Sequence, residues 1–324
     1  MPVELGRGLK EVQYGITTTL AEKLIPPLKL KAIEGATLTS AKEMDSLHGS
    51  YVESANHYHS VFERSTERGE KLDALFGLTQ QLINLGRFGQ ARKYLVQVDG
   101  IALSDPLVER LAIVSLARKN EKLGWIADYE GKFENAVTFF ESTRTLIDQV
   151  LADNPNEAEK KTYSTATHFL GRAYFGLGNY SKAIEFFNKH LEDTDLNFDE
   201  RGFGHAWLAR CYISGGDMQM AKEELASARN MFEEHRIRFP ERGTMAHYYM
   251  VNGEFYLKNG EFGKSREQFE LALVVHLKKE RYPRGESRAM YGIAFSYWAE
   301  GKYGAAFSYA LRGLKTYPLS LIKP

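Results

Sequence analysis

Residues 169–191 read FLGRAYFGLGNYSKAIEFFNKHL, and this stretch decides the fold. Gly178 separates two runs whose apolar residues fall at helical spacing, with Gly171 and Tyr174 before it and Ala183 and Phe187 after it. A glycine in that place reads as a helix end, because it accepts the left-handed conformation that a helix C-terminus favours. Tyr180, two residues on, starts a second helix that packs back antiparallel onto the first.

The pattern repeats outward in both directions. It recurs as Gly86-Arg87-Phe88 with Ala91, Gly131-Lys132-Phe133 with Ala136, Gly216-Asp217-Met218 with Ala221, Gly260-Glu261-Phe262 with Ser265 and Gly301-Lys302-Tyr303 with Ala306. Four residues before each glycine stand Leu82, Ala127, Tyr174, Tyr212, Tyr256 and Tyr297. Seven before stand the small residues Thr79, Gly124, Gly171, Ala209, Gly253 and Ala294, and nine after stand Leu95, Phe140, Phe187, Leu225, Phe269 and Ala310. Small residues on facing helices let the axes approach, and large ones one turn away fill the space beside them. Each pair keeps an apolar side that only the next pair buries. The sequence therefore predicts an all-α superhelical solenoid of antiparallel helix pairs with a concave inner face.

These residues resemble the tetratricopeptide repeat family: a small residue, an aromatic three later, Gly-x-aromatic, then Ala and a large apolar residue. The resemblance covers residues 71–318 and implies a right-handed superhelix. Successive turn glycines lie 45, 47, 38, 44 and 41 residues apart, against about 34 for the standard unit. The longer unit is similar to the repeats of signal-transduction NTPases, the maltose-regulon type of activator and kinesin light chains. Longer helices account for it: Asn154 is expected to cap, Pro155 to open the helix and Glu157 to complete a capping box, with Asp105-Pro106 giving the same start signal upstream.

Three segments follow from this reading. Residues 1–38 hold one helix, broken at Ile25-Pro26-Pro27-Leu28, as a cap or linker. Residues 39–70, with Gly49-Ser50-Tyr51, form a degenerate repeat or capping helices, and residues 71–324 form six helix pairs. No phosphate-binding loop, winged helix or low-complexity tail interrupts them.

Composition excludes several function classes. Lys plus Arg and Asp plus Glu number 42 each among 324 residues, so no basic excess points to nucleic acid. The single Cys211 allows no intramolecular disulfide and no CxxC metal chemistry, and suits a reducing, cytoplasmic setting. Residues 1–20 carry interspersed charge and show no signal peptide, and nowhere does an 18-residue uncharged apolar run occur.

The chemical candidates are sparse. His57-Tyr58-His59 with Glu53 does not converge, because residues two apart on a helix face different sides, and a zinc site needs three or four ligands. Cys211 reads as a small core residue, and Gly6-Arg7-Gly8 lacks the strand context of a phosphate loop. Glu223 and Glu224 read as a solvated helix face. No catalytic residue, metal site or cofactor is expected, and the chain reads as no enzyme.

In the family, groove-lining side chains stand on the first helix at fixed offsets from the turn glycine. Ten and six residues before it, the resemblance places Phe76 and Gln80, Glu121 and Trp125, His168 and Arg172, Ala206 and Arg210, Met250 and Glu254, and Tyr291 and Phe295. Three before it stand Ile83, Asp128, Phe175, Ile213, Leu257 and Trp298. His168, Arg172 and Arg210 would form a basic spot, with Trp125, Phe175, Tyr291, Phe295 and Trp298 as aromatic partner-binding positions. Glu254 stands ready to pair with one of these arginines. The Lys/Asn carboxylate clamp of the family's chaperone-binding members is absent, since Phe76, Gln80 and Asn84, then Glu121 and Trp125, occupy those places. The expected function is a protein-protein interaction module or scaffold, a sensor or adaptor arm, whose groove holds a partner segment with acidic and large apolar residues. A peptide-responsive regulator that changes superhelix curvature is the alternative.

Overall fold

Each turn glycine ends its helix with the same two hydrogen bonds. The computed structural model describes residues 27–48, 50–102, 109–152, 154–239, 243–280 and 283–317. Gly178 has φ +77°; its N–H donates to Phe175 O and the Asn179 N–H donates to Tyr174 O, both at 2.9 Å. This is a Schellman closure, which satisfies carbonyls the helix end leaves unpaired. Gly86, Gly131, Gly216, Gly260 and Gly301 share it, with φ from +71° to +87°.

The helices run α1 (Leu38–His48) and α2 (Tyr51–Arg64), then six units. These are α3 (Arg68–Asn84) with α4 (Phe88–Leu95) and its continuation α5 (Gln97–Ala102); α6 (Glu109–Tyr129) with α7 (Phe133–Leu151); α8 (Glu157–Gly176) with α9 (Tyr180–Leu191); α10 (Phe198–Gly215) with α11 (Met218–Arg238); α12 (Met245–Lys258) with α13 (Phe262–Val275); and α14 (Pro283–Ala299) with α15 (Tyr303–Thr316). A π-helical turn, His276–Glu280, extends α13. No strand occurs among the described residues. The residue two after each turn glycine is the first of its helix.

The wide repeat comes from long helices, since α6 and α11 have 21 residues and α8 has 20. One expected cap sits elsewhere. Asn156, not Asn154, caps α8: its side chain accepts the Glu159 N–H at 3.0 Å and its own N–H donates to Glu159 at 2.8 Å. Asn154 instead turns the chain with φ +47°. Glu159 also accepts from Arg110 at 2.7 and 2.9 Å, which fixes where the helix begins. The expected helix before Pro26, Gly6-Arg7-Gly8, Gly49 and the Asp105-Pro106 start signal lie outside the described residues.

The core is a set of large side chains seated on helices that lack a Cβ. A Cβ on Gly171 would meet the Phe187 ring at 2.8 Å, one on Gly124 the Phe140 ring at 2.7 Å, and one on Gly253 the Phe269 ring at 2.9 Å. Where the first helix carries Thr79, Ala209 or Ala294 instead, the second carries the smaller Leu95, Leu225 or Ala310. The same rings bind the next unit, since Phe269 also abuts Gly292 and Phe187 stacks on Trp207 at 5.9 Å. Phe140, Phe187 and Phe269 are fully buried, a gain of about 1.5–3 kcal/mol each. Ion pairs join neighbouring units as well: Arg172 with Asp128, Arg210 with Glu254, Arg92 with Glu130 at 2.6 Å and Arg266 with Glu300 at 2.6 Å.

The superhelix turns far enough for its two ends to meet. Tyr317, after α15, joins the core of the first units, and its hydroxyl lies 2.4 Å from where a Cβ of Gly86 would stand. The Arg284 guanidinium of α14 lies 3.8 Å from the centre of the Tyr129 ring of α6. At the amino-terminal end an extended segment lies over α2 and α4. Its Leu28 N–H and O both bond the Gln90 amide, at 2.8 and 3.1 Å. Further along, Lys31 N–H donates to Asn56 at 2.9 Å and Ile33 N–H to Ser60 at 2.7 Å.

Two outcomes follow. Gly171→Ala is expected to lower stability by about 1–3 kcal/mol through overpacking against Phe187. Adding Phe187→Leu should recover part of that, with a coupling of about 1 kcal/mol in a denaturant-melt double-mutant cycle; additive losses would contradict the seated-ring account. Tyr317→Ala should enlarge the radius of gyration in small-angle scattering while far-ultraviolet circular dichroism stays unchanged. An unchanged radius would show that Tyr317 does not hold the ends together.

Candidate functional site

The inner stripes of the first helices enclose a cavity of about 660 Å³. Spacing of three and four residues puts each contributor on one helix face. Trp125 and Tyr129 come from α6; Thr165, His168, Phe169 and Arg172 from α8; Phe203 and Trp207 from α10; His247 and Met250 from α12; Arg284 and Arg288 from α14. His190, at the end of α9, and His276, in the π turn, complete the wall. Tyr51 of α2 and Asn84 of α3 line it from the first units.

Counted from the turn glycine, the lining drifts along the chain. The lining residue nearest the glycine is Tyr129, two before it, in α6; Arg172, six before, in α8; Trp207, nine before, in α10; Met250, ten before, in α12; and Arg288, thirteen before, in α14. A superhelix produces this drift, because successive long helices cross the cavity at different heights. Of the residues expected at fixed offsets, Trp125, His168, Arg172 and Met250 line the cavity. Phe203, Trp207, His247, Arg284 and Arg288 lie on the same stripe one or two turns nearer the helix start. The wide glycine spacing carries their signal, since it implies that the inner stripe extends by those turns.

The other expected positions are elsewhere. Arg210 is buried and ion-paired: its Nε donates to Glu254 Oε2 at 2.7 Å, its Nη2 donates to Oε1, and its guanidinium lies over Trp207 at 4.7 Å. Phe175 packs edge-on to Trp207 at 5.5 Å and against Tyr180 at 5.4 Å. Tyr291 packs against Gly313 of α15. Phe295 and Trp298 are about half exposed on the last unit, where Trp298 meets Tyr303 edge-on at 4.8 Å.

Aromatic faces and cations make the cavity wall. Trp125 stacks on Phe169 with centroids 4.6 Å apart, and the Lys122 ammonium lies 4.4 Å from the Trp125 ring. Arg172 lies 4.4 Å from the centre of the Phe169 ring and 5.0 Å from that of Trp207, and pairs with Asp128. His168 is 9% exposed and meets Phe187 and His190 edge-on at 5.3 and 4.9 Å. Burial holds the His168 imidazole well below its ordinary pKa, and His190, Arg172 and His247 push the same way. Burial does the same to His247, aided by Arg210, Arg288 and Arg172. Both rings are therefore neutral at neutral pH.

The remaining candidates are structural. Burial pushes the Cys211 thiol up to about 12, so it holds its proton and serves as core beside Trp207. His57 Nδ1 pairs with Ser40 at 2.8 Å, and His59 packs edge-on to Tyr94. Among the described residues no three His, Cys, Asp or Glu side chains converge on a metal position, and no helix is long and apolar enough to cross a membrane.

The tetratricopeptide repeat family model matches residues 165–192, the unit whose sequence sets the pattern. No curated protein matches the chain by sequence. Aspartyl phosphate phosphatase F from Bacillus subtilis superposes with a TM-score of 0.62 at 11% identity, over 98% of this chain and 75% of that one. BtubC (BKLC) from P. vanneervenii gives 0.48 at 17% identity over 70% and 88%. The TPR-like repeats of a putative Podosopora anserina kinesin light chain give 0.41 at 19% over 62% and 94%. The first of these shows a shared fold across nearly the whole chain. Six identically closed turns make the chain a TPR-like α-solenoid, and its residues 165–192 match the tetratricopeptide repeat.

Proposed function

We propose that the protein is an interaction scaffold that holds a short segment of a partner protein inside the concave cavity, as the sensor or adaptor arm of a larger signalling assembly. The cavity carries this reading. It combines the ring faces of Trp125, Phe169, Phe203 and Trp207 with the guanidinium groups of Arg172 and Arg288. Rigid aromatic faces supply contact area at low entropic cost, and guanidinium groups pair with acidic side chains. A volume of about 660 Å³ suits a few residues of extended chain rather than a folded domain.

One feature invites an enzymatic reading and does not sustain it. Ser164 Oγ lies 3.2 Å from His190 Nδ1 at the cavity wall. Ser164 is in mid-helix, where the neighbouring backbone N–H groups are committed to intrahelical bonds, so they offer no oxyanion donors.

The end-to-end contact supports a second reading, a regulator whose curvature responds to the bound segment. Tyr317 on Gly86 and Arg284 on Tyr129 form a closure that a ligand in the cavity between them would strengthen or open.

A photoreactive residue in place of Thr165, on the cavity wall, should cross-link one discrete segment of another protein, identified by mass spectrometry. The same residue in place of the exposed Glu185 of α9 should not. Thr165→Trp, which fills the cavity, should weaken capture by about tenfold or more with the melting temperature unchanged. Capture that survives the filled cavity would move the binding surface elsewhere. For the regulator, adding the identified segment should change the scattering radius of the wild type and leave Tyr317→Ala unaffected; equal responses would remove that reading.

A further inference from the structure

The cavity has an electrostatic polarity that its aromatic frame does not explain. Its lining carboxylates, Glu157, Asp193, Asp195 and Glu200, all belong to the start of α8, the start of α10 and the connection before α10. Two of them pair with lysines there: Asp195 with Lys160 and Glu200 with Lys161, each at 3.5 Å. The opposite wall, from α8, α12, α14 and the π turn, presents histidines and arginines. Of the acids on that side, Asp128 pairs with Arg172 and Glu254 with Arg210, while Glu286 of α14 faces His276.

Within this wall two buried ring nitrogens have no hydrogen-bond partner, Nδ1 of His168 and Nε2 of His247. An unsatisfied buried polar atom costs about 1–3 kcal/mol, and native proteins keep few of them without a role. Two beside one cavity, both among cations, mark a place prepared for negative charge.

We infer that the His168–His247 wall, with Arg172 and Arg288, receives an anionic group of the bound segment, a carboxylate or a phosphate, and that the two imidazoles take up protons as it binds. The inference rests on the segment-binding reading of this cavity and names the chemistry recognised there. Burial is the larger cause of the rings' neutrality and the neighbouring cations the smaller. An anion seated against the rings opposes the cations' field and gives each N–H a charged acceptor, which favours the protonated form. The groups facing His168 are Arg172 on its own helix, His190 on α9 and His247 on α12; those facing His247 are Arg210, Arg288, Arg172 and His276. Carboxylates act on this cluster through His190, which Glu200 and Asp193 favour in its charged form, and through His276, which faces Glu286 of α14.

The sign of the pH dependence follows. In the ligand-free fold both rings have pKa values below 6.5, so the stability that depends on neutral rings is complete above that value and lost as pH falls below it. Anion binding raises the ring pKa values, so affinity should rise as pH falls and the acid loss of stability should shrink when the anion is present.

The test is a nuclear magnetic resonance titration of the full chain, isotope-labelled at histidine. The probes are N-acetyl-aspartate amide, its neutral counterpart N-acetyl-asparagine amide, and inorganic phosphate. The aspartate compound stays ionised between about pH 5.5 and pH 8 and carries the pH arm; phosphate is compared at one pH. The His168 and His247 signals should move with at least one anion and not with the asparagine compound, and the anion that moves them tells a carboxylate-bearing segment from a phosphorylated one. For a carboxylate, affinity at about pH 5.5 should exceed that at about pH 8 by roughly tenfold. His168→Gln with His247→Gln should abolish the pH dependence. For a phosphate, the same variant should lose phosphate binding. Signals unmoved by both anions, an equal response to the asparagine compound, or tighter binding at higher pH would overturn the inference. A Thr165 cross-link to a partner alongside silent anions would refute only the anion site; failure of both would refute the segment-binding reading itself.

Discussion

The fold depends on one steric fit, a phenylalanine ring lying where a first-helix glycine has no Cβ. At Gly171 and Phe187 the gap is 2.8 Å to the position a Cβ would take, which no larger residue fills without displacing the ring. That fit sets how closely the two helices of a unit approach, and the far side of the ring sets how the next unit lies on it. Because Phe269 touches glycines of two successive units, Gly253 and Gly292, packing within a unit and curvature between units are settled by the same side chain. Curvature in turn carries the last unit round to the first. The cavity is the consequence of that closure.

Charge is arranged in two layers. Arg172 and Arg210 each pair with an acid of a neighbouring unit, Asp128 and Glu254. Buried pairs of this kind add little net stability but penalise a shifted register, since slipping one unit would leave a charge unpaired in the interior. The guanidinium groups also lie over ring faces at 4.4 to 5.0 Å, so they serve as walls as well as struts. The second layer is the histidine wall, which burial and the arginine field keep neutral. A scaffold with a fixed cationic frame and a titratable lining can bind without rearranging its core.

Much of this was legible in the sequence, and what was not has a physical reason. The six glycines, the large apolar residue that opens each second helix (an aromatic in all but Met218) and the small-large complement are local chemistry, and each falls where the residues predict. Trp125, His168 and Arg172 were legible because the early units hold the standard offset from the glycine. Phe203, Trp207, His247 and Arg288 were not, because long helices let the inner stripe slide toward the helix start from unit to unit. Tyr291, Phe295 and Trp298 sit at the expected offset but away from the cavity, since closure brings the beginning of α14, not its end, to it. The contact of Tyr317 with Gly86 joins residues at opposite ends of the solenoid and has no local signature at all. The cap lies at Asn156, two residues beyond the expected Asn154, because Arg110, far away in sequence, pairs with Glu159.

The solenoid closes on itself and so converts a groove into a cavity. Spin labels on Lys93→Cys and Lys315→Cys, both exposed, measure that closure directly by pulsed electron resonance; the buried, protonated Cys211 does not compete for the label. The helix rise and the contact of Tyr317 with Gly86 place the two backbones within roughly 30 Å. A single narrow distance distribution in that range is expected for the free protein. A broad distribution centred well beyond it would mean an open solenoid, and the enclosed site would not exist.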